Sequence, residues 1–178
     1  MKKEDISEVL ISEEELKDIC KRLGAQISKD YADKKLLLVS VLKGAVVFMA
    51  DLLREITCDC EIDFMAVSSY SGTKTTGIVS FRKDLDISPE GRDVLLVEDI
   101  LDSGITLSYL RGVLADRNAA SVKICTLLDK PENRKADITA DYIGKQVPDA
   151  FVVGYGLDYD EKYRNLPYVG ILAPHVYE

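Results

Sequence analysis

Apolar residues near the start of the chain recur every three or four positions. The repeat runs from Leu16 to Tyr31, which is the spacing of a helix with one buried face. Ser12 and Glu15 stand ahead of it in the arrangement of a capping box. The pattern therefore predicts a first helix from about Ser12 to Tyr31.

The middle of the chain alternates between near-continuous apolar runs and helical stretches. Strands are predicted in KLLLVSVL, at both ends of EIDFMAVSSYSGTKTTGIVSFRKDL, in DVLLVED and in SVKICTLLDK. Helices are predicted between the Lys43-Gly44 turn and Ile56, and in GITLSYLRGVLADRN. Buried strands that alternate with helices are typical of a parallel sheet covered on both faces. We therefore predict an α/β fold, in which ligands bind beyond the carboxyl ends of the strands.

Length and charge restrict the number of domains and the kinds of partner that the chain can have. The 178 residues contain no repeat or low-complexity linker, which indicates one domain over residues 1–178. No apolar run is long enough to cross a bilayer, and the N-terminus lacks a signal-peptide core, so we expect a cytoplasmic protein without membrane contact. The net charge of −8 disfavours nucleic acid as a partner. A polyanionic ligand would need local cations, backbone amides or a bridging metal.

The cysteines are expected to be reduced and mostly buried, as in other cytosolic chains of this size. They are Cys20, Cys58, Cys60 and Cys125. The CDC pair is a weak metal signal, because His175 is the single histidine available to complete a zinc site.

Three carboxylates follow a buried apolar run in VLLVEDILDSGITL, from Val94 to Leu107. The pattern places EDILDSG in the loop between a strand and a helix. Gly104 permits a tight turn, while hydroxyl side chains and the free N–H groups of the helix start favour an anion such as phosphate. Paired acids beside such a site suit a sugar phosphate. The alternative is an acidic loop that only caps the helix.

VLLVEDILDSGIT resembles the PRPP motif of the type I phosphoribosyltransferases, where PRPP is phosphoribosyl pyrophosphate. With an acid at Asp102, the motif resembles that of the family's 6-oxopurine branch, the hypoxanthine-guanine phosphoribosyltransferases. The resemblance extends from VLKGA to FVVGYGLDYDEKYRNL. It implies a five-stranded, mainly parallel core over about residues 12–130. It also implies a small hood, formed by about residues 131–178 and N-terminal residues.

The resemblance implies a role for each acid of the motif. Glu98 and Asp99 would bind the ribose hydroxyls and contact Mg²⁺, which bridges pyrophosphate and ribose oxygens. Asp102 would accept a proton from purine N7. The 5′-phosphate would be wrapped by Asp102, Ser103, Gly104, Ile105 and Thr106.

Two further loops resemble parts of the family's site. Leu42, Lys43 and Gly44 would form the pyrophosphate loop, with a cis peptide between Leu42 and Lys43. Ser69 and Tyr70 would belong to a lid that excludes water from the reacting sugar. The alternative for the first loop is an ordinary strand-to-helix turn. The alternative for the second loop is a surface hairpin.

The C-terminal third would supply the base site. In the family, the residue matching Lys130 donates to purine O6, Phe151 stacks on the purine and Val152 reads the ring edge through its backbone. Asp158 would bind a second Mg²⁺ through water, and Arg164 would clamp pyrophosphate with its forked donors. The alternative is that Lys130 is a solvated lysine and that Phe151 and Val152 are core residues.

The implied reaction is purine salvage: transfer of the phosphoribosyl group from PRPP to N9 of hypoxanthine or guanine, with release of pyrophosphate. The resemblance also implies a homodimer or homotetramer. Two alternatives share the fold, a xanthine-preferring enzyme and a PRPP-sensing, RNA-binding regulator. The acidic composition and Asp102 both argue against the regulator.

Overall fold

A computed structural model describes residues 3–69 and 79–177 of the chain. It contains three α-helices and nine β-strands within these ranges. The helices are α1 (Glu13–Asp30), α2 (Val46–Glu55) and α3 (Ile105–Asp116). The strands are β1 (Ile6–Ile11), β2 (Leu36–Leu42), β3 (Cys60–Ser69), β4 (Val79–Lys83), β5 (Asp93–Leu101), β6 (Ser121–Asp129), β7 (Tyr142–Gln146), β8 (Val152–Val153) and β9 (Val169–Leu172).

The larger sheet has the strand order β4-β3-β2-β5-β6-β7. Five of its strands are parallel, and β4 alone pairs antiparallel, with β3. Alternate residues of β2 face opposite layers: Leu36 and Leu38 pack with α1 and α2, whereas Leu37 and Val39 pack with α3. Both faces of the sheet are therefore covered, and the predicted α/β class is confirmed.

The predicted first helix is confirmed, together with its capping box. Ser12 Oγ accepts from the Glu15 N–H at 3.2 Å, and the Ser12 N–H donates to Glu15 Oε2 at 2.9 Å. These bonds satisfy two of the N–H groups that a helix start leaves without partners. The helix ends at Asp30 with Tyr31 as its C-cap.

The sheet differs from the expected one at its edge. Tyr142–Gln146 was expected in the hood, but as β7 it pairs parallel with β6, so the sheet has six strands instead of five. The backbones of β7 and β6 lie so close that a Cβ on Gly144 would be 2.3 Å from the Leu127 carbonyl oxygen, so a glycine is required there.

The hood is a three-stranded antiparallel sheet in the order β1-β9-β8. Ile6 of β1 pairs with Leu172 of β9, so distant parts of the chain form it together. The N-terminal strand was not predicted, because its middle residues are exposed and include the charged Glu8. No helix in the two described ranges has the length and apolar character needed to span a membrane. All four cysteines are free, with Cys20 and Cys125 buried.

Candidate active site

Loops that follow neighbouring parallel strands meet at the carboxyl ends of those strands in the larger sheet. Lys43 and Gly44 follow β2, Asp102 and Ser103 follow β5, and Lys130 follows β6. This is the edge at which α/β sheets bind ligands. The structure therefore brings together residues that the sequence placed in separate motifs.

The acidic pair lies within strand β5, as the predicted strand DVLLVED implied, and not in the EDILDSG loop. The strand continues to Leu101 because it pairs with β6 as far as Leu101 and Asp129. Neighbouring residues of a strand point to opposite faces. Glu98 lines a cavity together with residues of the loop 102–106, which is expected to bind phosphate and is called the phosphate loop below. Asp99 instead lies against Gly44, where a Cβ would come within 1.7 Å of Asp99 Oδ2.

Burial perturbs both carboxyl groups. Desolvation raises the pKa of Glu98 well above its ordinary value, and the neighbouring Asp99 charge raises it further. Burial also raises the pKa of Asp99 to about 6, although backbone N–H groups and Arg164 oppose that rise. Glu98 Oε2 is buried and has no hydrogen-bond partner among the described residues. An acceptor that is costly to leave unpaired suits a ligand hydroxyl or a cation.

A cavity of about 270 Å³ lies between β5 and the start of α3. Gly104 precedes the helix with φ of +77°, and no side chain caps the helix. The first N–H groups of α3 are therefore available to an anion. The polar lining comprises Glu98, Asp102, Ser103 and Thr106. The Ile105 side chain is half exposed and is not among the residues that line this cavity.

Asp102 lies between this cavity and a second one, and it lines both. Its side chain is exposed, and within the described part of the chain its carboxylate forms no hydrogen bond. The N-cap of α3 is Gly104, without a side-chain cap. The alternative interpretation, in which Asp102 only caps the helix, is therefore not supported.

The second cavity, of about 340 Å³, has the features expected of a base site. Lys130 is 7% exposed, and its Nζ donates to the Ala150 carbonyl oxygen at 2.5 Å. Its Nζ also lies 3.8 Å from Asp149 Oδ1. Lys130 is thus a held side chain beside the cavity, not a solvated one. Val152 is buried, whereas Phe151 is 41% exposed and can present its ring.

Phe151 belongs to an aromatic group that the sequence did not indicate. Its ring stacks on Tyr177 with centroids 5.3 Å apart, and Tyr159 meets it edge-on at 5.5 Å. Such contacts stabilise a ring beyond its area burial. The C-terminal segment thereby supports the orientation of Phe151.

The loop after β2 meets the hood on the remaining side of the site. The Leu42-Lys43 peptide is cis, as the resemblance implied. Lys43 Nζ lies 3.1 Å from Glu161 Oε2. Arg164 donates to the Gly156 carbonyl oxygen at 2.7 Å, and its Nη2 lies 2.8 Å from Asp158 Oδ1. Two cations therefore stand where a polyanion could be bound.

The expected metal residues do not form a ready-made cation site. Across residues 3–69 and 79–177, no cluster of three potential ligands occurs. Glu98, Asp99 and Asp158 nevertheless supply carboxylate oxygens, which Mg²⁺ prefers, and Mg²⁺ commonly takes most of its ligands from water and phosphate. The donor set therefore fits Mg²⁺ bound largely through a substrate.

The expected lid lies almost wholly outside the described residues. Ser69 ends β3 and pairs with Val79, while Tyr70 is not described. The lid therefore stays a prediction.

Together, the six-stranded sheet, the antiparallel hood and the phosphate loop define the type I phosphoribosyltransferase fold. The family model described as "Phosphoribosyl transferase domain" matches residues 10–160. The chain therefore belongs to the phosphoribosyl transferase family.

Known relatives resemble this chain over its whole length. The hypoxanthine-guanine phosphoribosyltransferase of Bacillus subtilis (strain 168) is 59% identical and is matched over 100% of this chain and 99% of the relative. That of Staphylococcus aureus (strain Mu50) is 56% identical over 97% of both. A crystal structure of a Staphylococcus aureus hypoxanthine phosphoribosyltransferase superimposes with a TM-score of 0.95, at 55% identity, covering 98% of this chain and 96% of that one.

Proposed function

We propose that this protein transfers the 5-phosphoribosyl group of PRPP to N9 of hypoxanthine or guanine, giving IMP or GMP and pyrophosphate, in purine salvage. The observation that carries the proposal is the position of Asp102, which lines both the phosphate-loop cavity and the Lys130 cavity. A group there can reach the sugar and the base together. The family membership and the names of the relatives support the same reaction.

The chemical step exchanges one bond at the sugar for another. The C1′–O bond to pyrophosphate breaks with its electron pair on the leaving oxygen, and N9 forms the new C1′–N bond. The attacking purine loses the proton on N7, and Asp102 accepts it. This role is consistent with the exposed carboxylate of Asp102, which has no hydrogen bond to any described residue.

Recognition of the base rests on the second cavity. Lys130 would donate to O6 of the purine, Phe151 would stack on the ring and the Val152 backbone would contact its edge. The short bond from Lys130 Nζ to the Ala150 carbonyl holds the ammonium beside the cavity. Phe151 retains a substantially exposed ring, as a stacking role requires.

The sugar phosphates would occupy the other side of Asp102. Glu98 and Asp99 would accept hydrogen bonds from the ribose hydroxyls, and the loop from Ser103 to Thr106 would hold the 5′-phosphate. Lys43, Gly44 and Arg164 would hold the pyrophosphate. When bound, Mg²⁺ supplies charge neutralisation to the polyanion, with Glu98, Asp99 and Asp158 as its available carboxylates.

Steady-state kinetics with hypoxanthine, guanine and xanthine test the proposal. The purified protein is mixed with PRPP and each base, and nucleotide and pyrophosphate are both quantified. We expect equal amounts of the two products with hypoxanthine or guanine. A strong preference for xanthine, or RNA binding in a gel shift without any transfer, would overturn it. The cytoplasmic location and the homodimer or homotetramer stay predictions.

A further inference from the structure

Arg134 lies behind the phosphate loop and connects it to the neighbouring strand. Its Nε donates to the Asp102 carbonyl oxygen at 2.9 Å, and its Nη1 donates to the Ile138 carbonyl oxygen at 2.7 Å. Its Nη2 donates to the Leu101 carbonyl oxygen at 3.3 Å and pairs with the Asp129 carboxylate. All three nitrogens of the guanidinium are therefore committed to fixed acceptors.

These acceptors belong to two different parts of the proposed site. Leu101 and Asp102 end β5 and begin the phosphate loop, whereas Asp129 ends β6 and directly precedes Lys130. The Lys130 N–H also donates to the Leu101 carbonyl oxygen at 3.0 Å. Arg134 thus fixes the position of the phosphate loop relative to the base lysine.

The pair of Arg134 and Asp129 is largely shielded from water. Their side chains are 16% and 7% exposed, so each charge depends on the other for compensation. The loop also packs closely on the arginine stem, since a Cβ on Gly104 would lie 3.0 Å from Arg134 Cδ. The arginine side chain is therefore held at its guanidinium by Asp129 and along its stem by the loop.

Asp102 needs such an anchor because its carboxylate forms no hydrogen bond within the described residues. The position of its backbone therefore decides which cavities the carboxylate can reach. The hydrogen bond from Arg134 holds that backbone at the Asp102 carbonyl. The next residue is also fixed, because the Ser103 carbonyl oxygen accepts from the N–H groups of Lys135 at 2.9 Å and Ala136 at 3.1 Å.

We propose that Arg134 is a positioning residue for catalysis, and that Asp129 holds Arg134 in place. The guanidinium fixes the Asp102 backbone so that its carboxylate faces the base cavity while the loop holds the phosphate. Arg134 is not among the residues that line either cavity; it acts through Asp102. The inference rests on the proposed function, because it assigns Asp102 the proton from N7.

Arg134→Lys tests the inference without removing the positive charge beside Asp129. A lysine ammonium is a single donor centre and cannot reproduce the planar fork. We expect kcat to fall by about 10- to 100-fold, the effect of a small misplacement of a catalytic group. Arg54→Lys, on the exposed face of α2, is the control and should retain the wild-type kcat.

A double-mutant cycle with Asp102→Asn separates positioning from general destabilisation. If Arg134 acts through Asp102, Arg134→Lys should lower kcat by less than about threefold in the Asp102→Asn background, because coupled residues are not additive. Equal falls in both backgrounds would overturn the inference. So would a wild-type kcat for Arg134→Lys alone.

Asp129→Asn gives a second, independent variant if Arg134→Lys does not fold. It leaves the arginine in place but removes the charge that holds it. We expect a lower kcat that is again non-additive with Asp102→Asn, and additivity would count against the role of Arg134. Absence of nucleotide formation by the wild-type protein would instead refute the proposed function.

Discussion

Gly44 lies so close to Asp99 that any β-carbon at position 44 would come within 1.7 Å of the Asp99 Oδ2 atom. The glycine is therefore required by space, and this contact joins the loop after β2 to the acidic end of β5. A substitution there should disturb both the loop that we propose to bind pyrophosphate and the acid that we propose to bind ribose.

Gly44→Ala should reduce activity by at least about tenfold, because the methyl group displaces the Asp99 carboxylate or the loop. Overpacking of this kind costs about 1–3 kcal/mol in the free energy of unfolding. Kinetics and urea unfolding measure the two effects. Gly112→Ala is a matched control, since a Cβ at position 112 would have no heavy atom of a neighbouring residue within 4 Å. Because Gly112 lies within α3, Gly112→Ala should raise the free energy of unfolding by about 0.5–1 kcal/mol. Equal behaviour of the two variants would contradict the steric argument.

Asp102→Asn should lower kcat by about 10²–10⁴-fold, the usual contribution of general acid–base catalysis. The KM for PRPP should change little, since we propose that amides and hydroxyls of the loop, and not the Asp102 carboxylate, hold the phosphate. The melting temperature should stay that of the wild type, because the Asp102 side chain caps no helix. A kcat within about threefold of wild type, below that catalytic range, would remove Asp102 from the mechanism.

Lys130→Ala should raise the KM for the base much more than the KM for PRPP. The ammonium lies beside the base cavity and away from the phosphate loop. Lys135→Ala, at an exposed neighbouring position, controls for the loss of one positive charge. Equal increases in the two KM values would show that Lys130 does not recognise the base.

Removal of Mg²⁺ by excess EDTA should abolish transfer, and added Mg²⁺ should restore it. The melting temperature of the free protein should not change with EDTA, because no cluster of three ligands occurs among the described residues. Full activity in EDTA would argue against the metal. A large loss of thermal stability would indicate a structural site instead.

Asp99 should make the folded protein less stable as the pH rises. Burial raises its pKa from 3.8 to about 6, so between these values the folded state keeps a proton that the unfolded chain has lost. The free energy of unfolding therefore declines over this interval, by about 3 kcal/mol for this group.

Asp99→Asn should lack this part of the decline, and urea unfolding across the same interval measures it. Gly112→Ala, which leaves every titratable group in place, is the control and should follow the wild-type pH dependence. A parallel pH dependence in wild type and Asp99→Asn would show that Asp99 is not a source of the effect.

The sequence was most informative where a local rule was sufficient. The apolar repeat and the capping box predicted α1 with its ends, and the apolar run before Glu98 predicted β5. The extension of β5 past Asp99 to Leu101 was not predictable, because the acidic pair before it disfavours a strand and pairing with β6 decides the outcome. The edge strand β7 and the half-exposed strand β1 also lack the apolar runs that made the central strands visible.

The candidate site was predictable as far as a motif places each residue. Arg134 was missed because its partners lie in three separate segments, at Leu101–Asp102, Asp129 and Ile138, and no spacing rule connects them. The stacking of Tyr177 on Phe151 was missed for the same reason. Contacts between residues so far apart in the sequence form only when the sheet has assembled.

The pairing of Ile6 in β1 with Leu172 in β9 has a consequence for synthesis on the ribosome. β1 leaves the ribosome without its partner, because β9 is the last of the described strands to be translated. The parallel sheet can begin to assemble earlier, whereas contacts between such distant residues form late. A nascent chain would therefore acquire its phosphate loop before the hood strands that carry Val152, and competence to bind a base would come last.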